Sequence, residues 1–135
     1  MASASLALQA AILSALTGHA PLVALLAGPR VYDDVPPNAQ YPYLTFGQSS
    51  QRDWSTGTEE GAEHLVTIHV WSRAAGRRQV HDIAAAIHAA VHDRPLALTG
   101  YRLVNLRHEF SESRRDGDGE TYRGVIRYRA VTEPI

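Results

Sequence analysis

Residues 63–93, EHLVTIHVWSRAAGRRQVHDIAAAIHAAVHD, change their period once, and that change decides the fold class. From 63 to 72 the pattern alternates. Val66, Ile68 and Val70 fall on one face, and Leu65, Thr67, His69 and Trp71 on the other, which is the signature of a strand with one face against a core. From Arg77 to Asp93 the pattern turns helical, with Val80, Ile83, Ala84, Ile87 and Val91 forming one apolar stripe. Ala85, Ala86, Ala89 and Ala90 let such a helix lie close to a sheet, and Pro95 marks its stop. The chain here predicts a helix layered on a half-buried strand.

Working outward toward the C-terminus, residues Tyr101 to Phe110 and Thr121 to Val131 read as the arms of a long hairpin. On the second arm Arg123, Val125, Arg127 and Arg129 share one face, while Tyr122, Gly124, Ile126, Tyr128 and Ala130 share the other. Between the arms, 111–120 is charged and glycine-bearing and is expected to be a mobile tip carrying Arg114, Arg115, Asp116 and Asp118. Toward the N-terminus, Tyr43-Leu44-Thr45-Phe46 reads as a strand. The polar stretch from Gly47 to Gly61, with Arg52, Asp53 and Trp54, reads as a loop. From Gly28 to Pro42 four prolines enforce loop, with Val31 and Tyr32 allowing a brief extended piece.

Before that, 5–16 reads as a helix with Leu6, Leu8, Ile12, Leu13 and Leu16 as its apolar set, Ser3 or Ser5 as N-cap and Gly18 as its stop. Pro21 to Ala27 reads as a second, short helix, apolar nearly all round and therefore expected to be buried. The order α-α-β-β-α-β-β predicts an α+β fold. Its sheet has four mostly antiparallel strands with the helices packed on one face, in a single domain over 1–135. Val66, Ile68, Val70, Ile83, Ile87, Val91, Ile126 and Tyr128 are the expected core.

Composition limits the chemistry. At 135 residues, with 44% hydrophobic and 20% charged residues, the chain has the makings of one ordinary core. It has no cysteine, which excludes disulfides, thiolate metal sites and a cysteine nucleophile. All 13 basic residues are arginine, so Schiff-base and P-loop lysine chemistry is excluded as well. A net charge of −1 argues against a general nucleic-acid or membrane-surface binder. The opening residues lack the basic start of a signal peptide, the first arginine being Arg30, and no run is long and apolar enough for a membrane span. A soluble intracellular protein is the expectation.

Catalytic signals are sparse. His88 and His92 stand four apart on the predicted long helix, with His81 on the same face, the geometry of a two-imidazole chelate that needs a third ligand and carboxylate support. Residue 89 is alanine, so the helical zinc-protease pattern is absent. Asp116, Asp118 and Glu120 imitate the start of a calcium loop without its remaining pattern, and a solvated turn is the expectation. With no nucleophile motif and no phosphate-binding loop, no catalytic, cofactor or metal residue is assigned. What remains is surface. Trp54 in a polar loop either anchors a partner or folds back on its own domain, and the row Arg123, Arg127 and Arg129 is either an interface or a wetted sheet face.

The segment RVYDDVPPNAQYPYLTF at 30–46, the strand HLVTIHVWS at 64–72 and the helix RRQVHDIAAAIHAAVHD at 77–93 resemble the tail-completion or tail-terminator proteins of long-tailed phages, prophages and gene transfer agents. The resemblance spans nearly the whole chain. It implies a structural protein and no enzyme: a homo-oligomeric ring, typically a hexamer, at the head-proximal end of a tail tube. Such a ring ends tube polymerisation and joins tail to head. It implies the tail-tube protein and a head-tail connector or adaptor as partners, DNA passing through without specific binding, no membrane, no cofactor, and a place in the virion tail after assembly in the host cytoplasm. Arg52, Asp53, Trp54, Arg114, Arg115, Asp116, Asp118, Arg123, Arg127 and Arg129 are then the candidate protein-contact residues. Two other readings remain open, another neck protein of similar size and a small metal enzyme using His81, His88 and His92.

Overall fold

A computed structural model describes residues 3–135. The elements are α1 (Ala4–Thr17), α2 (Ala20–Leu26), β1 (Val31–Tyr32), β2 (Tyr43–Asp53), β3 (Ala62–Ser72), α3 (Arg78–Val91), β4 (Tyr101–Arg115) and β5 (Tyr122–Pro134). The strands form one sheet in the order β1-β2-β3-β5-β4. Every pairing is antiparallel except the short parallel one between β1 and β2. The fold is α+β as expected, with five strands where four were counted. The fifth is the Val31–Tyr32 piece, which the Leu44 N–H fastens to the sheet by donating to Arg30 O at 2.9 Å.

Local signals explain the helices. Ser3 caps α1, its hydroxyl oxygen accepting from the Leu6 N–H at 3.0 Å, and Gly18 ends it. Only one side of α2 is buried, through Leu22 and Leu26; Leu25 stays exposed, against the expectation of burial all round. The α3 stripe lies on the sheet as expected, with Val80, Ile83, Ile87 and Val91 all buried. All eight residues of the expected core are buried and belong to one cluster. Among the described residues no single helix is long and apolar enough to cross a membrane.

Two expected loops are largely strand. Gly47 to Asp53 continues β2, with a bulge between Phe46 and Ser49, and leaves only 54–61 as the connection. Ser111 to Arg115 continues β4, so the hairpin tip shrinks to 116–121. The physical reason is shared. Backbone pairing with a neighbouring strand holds a segment extended whatever its side chains do, and these side chains are exposed at the sheet's edges.

At Gly124 α3 packs tightly on the sheet. A Cβ there would lie 2.7 Å from Val80 Cγ1 and 3.3 Å from Val70 Cβ. Gly124→Ala should therefore overpack the layer and lower stability by about 1–3 kcal/mol, read from urea unfolding with an unchanged m-value. An unchanged midpoint would show that the layer spacing is looser than described.

Three histidines with lowered pKa values tie the fold to pH. His64 is buried on the helix-covered face, 2.9 Å from Thr132 Oγ1. Burial lowers its pKa below the ordinary value of 6.5. His69 is lowered by burial and by the Arg114 charge, and His88 by burial and then by the charges of His92 and His108. The unfolded chain therefore binds more protons than the folded one just below pH 6.5, and stability falls as pH falls through that window. We expect the thermal midpoint to drop between about pH 7 and pH 5, and His64→Gln to flatten part of that slope. A profile unchanged by His64→Gln would remove His64 from the account.

Candidate functional site

The helices cover one face of the sheet and leave the other open. On the open face Tyr43, Trp71, Arg123 and Arg114 stand side by side across four strands, with Thr45, His69, Val125 and Glu112 in the next row. Trp71 anchors this end: its Nε1–H donates to Thr45 Oγ1 at 2.9 Å, and its ring stacks near Tyr43 and His69, with centroids 6.2 and 5.9 Å away. Tyr41 and Tyr32 extend the aromatic cluster beside Tyr43, and Arg73 lies 4.5 Å over the Tyr41 ring. Burial, followed by hydrogen bonding with Tyr41, raises the Tyr43 pKa to about 12. The His69 ring fills the space over Gly47, where a Cβ would come within 2.3 Å of its Nε2.

The arginine row predicted from the alternation of β5 is present on this face. Each member sits between an aromatic ring and a carboxylate. Arg123 lies 5.1 Å over Trp71 with Nε 3.7 Å from Asp116, and Arg127 lies 5.0 Å over Phe110 with Nε 2.8 Å from Glu109. Arg129 lies 5.2 Å over Trp54 with Nε 2.6 Å from Glu63. Ion pairing and ring stacking hold all three guanidinium planes and match their charge, with charge-assisted hydrogen bonds at Arg127 and Arg129. The face is therefore stiff and electrically mixed, and is no bare cationic stripe. Trp54 folds back under Arg129, one of its two expected placements, and still exposes 51% of its surface.

The tip is tied down, contrary to the expected mobile loop. Asp116 donates its N–H to Thr121 O at 2.7 Å, and Gly119 donates to Asp116 O at 3.1 Å. The Asp118 carboxylate accepts from the Glu120 and Thr121 N–H groups, both at 2.9 Å, and from the Thr121 hydroxyl at 2.7 Å. The Thr121 N–H bond leads the causes that hold the Asp118 pKa down at about 2. Arg115 clamps the same turn, donating twice to Gly119 O at 3.0 and 2.7 Å. Asp118 is thus spent on its own turn, as a turn-building Asp usually is.

The structure places Arg52 and Asp53 on β2, and Arg114 and Arg115 on β4, where the sequence reading had put all four in loops. Trp54, Arg52 and Asp53 lie at one end of the sheet, and Arg114, Arg115, Asp116 and Asp118 at the other. Tyr41, Tyr43, Trp71 and Arg73 were missed as site residues. Their signal is the recurrence of aromatic residues on the polar face of the strands, which resembles a second core stripe. The histidines gather differently from the expectation. His88 and His92 stack at 4.1 Å and are joined by His108 of β4, 5.8 Å from His88, while His81 is exposed further up α3. Among the described residues no group of three His, Asp or Glu side chains is arranged to hold a metal ion.

Comparison with known proteins finds consistent likenesses. The family described as tail completion protein gp17 matches residues 10–133. The tail completion protein gp17 of Bacillus phage SPP1 is 28% identical over 126 residues, which is 93% of this chain and 92% of that protein. The solved structure of bacteriophage SPP1 gp17 has a TM-score of 0.62 at 26% identity, over 94% of this chain and 89% of that one. A chain in the virion of a native gene transfer agent particle has a TM-score of 0.90 at 34% identity, over 98% of this chain and 99% of that one.

Proposed function

The chain belongs to the tail completion protein gp17 family, and from that premise we propose that copies of it close a ring, six in number, on the head-proximal end of a phage-like tail tube. The ring stops tube growth and joins tail to head. Its work is structural, in a family of virion tail proteins. The observation that carries the reading is the likeness, over nearly its whole length, to a chain of an assembled gene transfer agent virion.

The geometry supports a terminator in particular. Such a protein needs a lower surface that fits the tube and an upper one that refuses another tube layer. The 54–61 connection and the 116–121 tip leave opposite ends of one sheet and are unlike in shape and sequence. One end then serves the tail-tube protein and the other the head-tail connector or adaptor, with Arg52, Asp53 and Trp54 on one side and Arg114, Arg115, Asp116 and Asp118 on the other. The matched charges of Arg123, Arg127 and Arg129 suit a protein near passing DNA, since unpaired cations would hold phosphate. Assembly takes place in the host cytoplasm, and the mature location is the head-proximal end of the virion tail.

Electron microscopy of particles carrying antibody-labelled protein tests this directly. One ring of label at the tail–head junction is expected. Label in the capsid shell or at the distal tip rejects the reading, and purified protein that binds a portal or adaptor but never a tube end favours a different neck protein.

A further inference from the structure

Among the described residues, each edge of the sheet has one uncovered stretch. On β2 the cover by β1 ends at Thr45, and the strand runs on to Asp53. On β4 the segment after α3 covers the edge only as far as His108: Asp93 donates its N–H to Leu106 O, and the His108 N–H donates to His92 Nδ1. The free stretches are therefore 47–53 and 109–115, equal in length and at opposite corners of the sheet. Unpaired edges of this kind are templates for another strand.

We propose that these two stretches pair with each other between neighbouring copies, so that the ring of the preceding section is held by a continuous sheet. The proposal rests on that ring reading.

Backbone direction supports it. The Leu44 N–H points outward to Arg30 O, and Ser49 stands opposite Val66 as Leu44 stands opposite Val70. Alternation then turns the N–H groups of Ser49, Gln51 and Asp53 outward, and Trp54 correctly turns inward to Gly61 O. On β4, Ser111, Ser113 and Arg115 point outward as His108 does, and Asp116 turns inward to Thr121 O. Three antiparallel steps separate β2 from β4, so copies in the same orientation bring these strands together antiparallel.

Side chains select the register. Pairing Ser49 with Arg115, Gln51 with Ser113 and Asp53 with Ser111 sets Arg52 opposite Glu112 and Trp54 opposite Phe110, all four on the open face. Arg52 has a side chain 75% exposed, and Glu112 has no ion-pair partner among the described residues. Trp54 and Phe110 are two of the exposed large hydrophobic residues. Sliding the strands by two residues one way opposes Arg52 to Arg114; sliding them the other way sets Arg52 opposite Phe110 and Glu112 opposite Ser50, which loses the charge pair. Like charges directly opposite destabilise a pair.

The stagger fits closure. Asp53 is level with Leu103 in its own sheet but with Ser111 of the neighbour, a shift of six residues along β5, from Thr132 to Ile126. At about 3.3 Å per residue that is about 20 Å, against about 19 Å for the four strands β2, β3, β5 and β4. The strands then tilt by about 45°, at the upper end of the range for closed barrels.

The test uses particles assembled with Ser50→Cys and Arg114→Cys in one chain, a directly opposed pair of the closer, non-hydrogen-bonded kind. After oxidation, a non-reducing gel should show one closed species of the ring's mass, with no link in either single variant. Arg52→Glu and Glu112→Arg should each cut the yield of joined particles severalfold, and the double exchange should recover it. Circular dichroism of each purified variant should match the parent. A ring visible at the junction without the engineered link, or a link formed by one single variant alone, overturns the edge pairing and leaves the ring standing. Absence of any ring overturns both.

Discussion

Particles made without this chain should have filled heads with no tails attached, and their tails should be missing, unstable or irregular in length. A growing tube presents the same end after every added layer, so its own subunits cannot refuse the next one. A protein that fits that end and presents a different upper surface supplies the refusal. Here the two ends of the sheet carry different loops, 54–61 and 116–121. Counting joined particles and measuring tail lengths by electron microscopy, with and without the gene, checks the result. Heads firmly joined to tails of uniform length in its absence would reject the terminator reading. A finer version replaces 117–120 by a two-residue Asn-Gly turn, closed by the hydrogen-bonded pair Asp116 and Thr121. Loop shortening changes closure entropy little, and such a turn suits a hairpin, so folding should survive while joining fails.

Ile87→Ala should be the costliest single truncation in the helix layer, at about 2–5 kcal/mol. Ile87 is wholly buried on α3, within the cluster that also holds Ile83, Val91, Ile68 and Tyr128. Truncating it removes apolar contact and leaves a void that close-packed neighbours refill only in part. Urea unfolding followed by circular dichroism measures the loss. A loss under about 1 kcal/mol would mean that α3 does not pack on the sheet through this residue.

Period carried most of the fold into view. The alternation of 63–72 and the stripe of 77–93 were readable because one face of each is apolar, and their layering followed. Where side chains carry no such contrast, the reading stopped short. Gly47-Gln48-Ser49-Ser50-Gln51-Arg52-Asp53 has no apolar residue, yet it is strand, because its neighbour's backbone holds it. Ser111 to Arg115 failed to read as strand for the same reason. In the candidate site, the row Arg123, Arg127 and Arg129 was legible from alternation alone. Its partners were not: Glu63 is 66 residues from Arg129, and no local pattern records such a distance. Trp71 was assigned to the outer face but not to the site, because its importance lies in Tyr43 and Arg123 arriving from other strands.

The placing of β5 between β3 and β4 bears on how the chain comes off the ribosome. β5 is made after β3 and β4, yet it stands between them, and without it they have no contact through the sheet. Until its thirteen residues emerge, the nascent chain holds only the paired strands β1, β2 and β3 with helices and a lone β4. Commitment to the native topology therefore waits for β5, and its long-range pairing makes folding slow relative to a helical protein of this size. A message cut short before β5 yields a chain that exposes its apolar face to proteolysis. Only with β5 in place do the two halves of the sheet belong to one body.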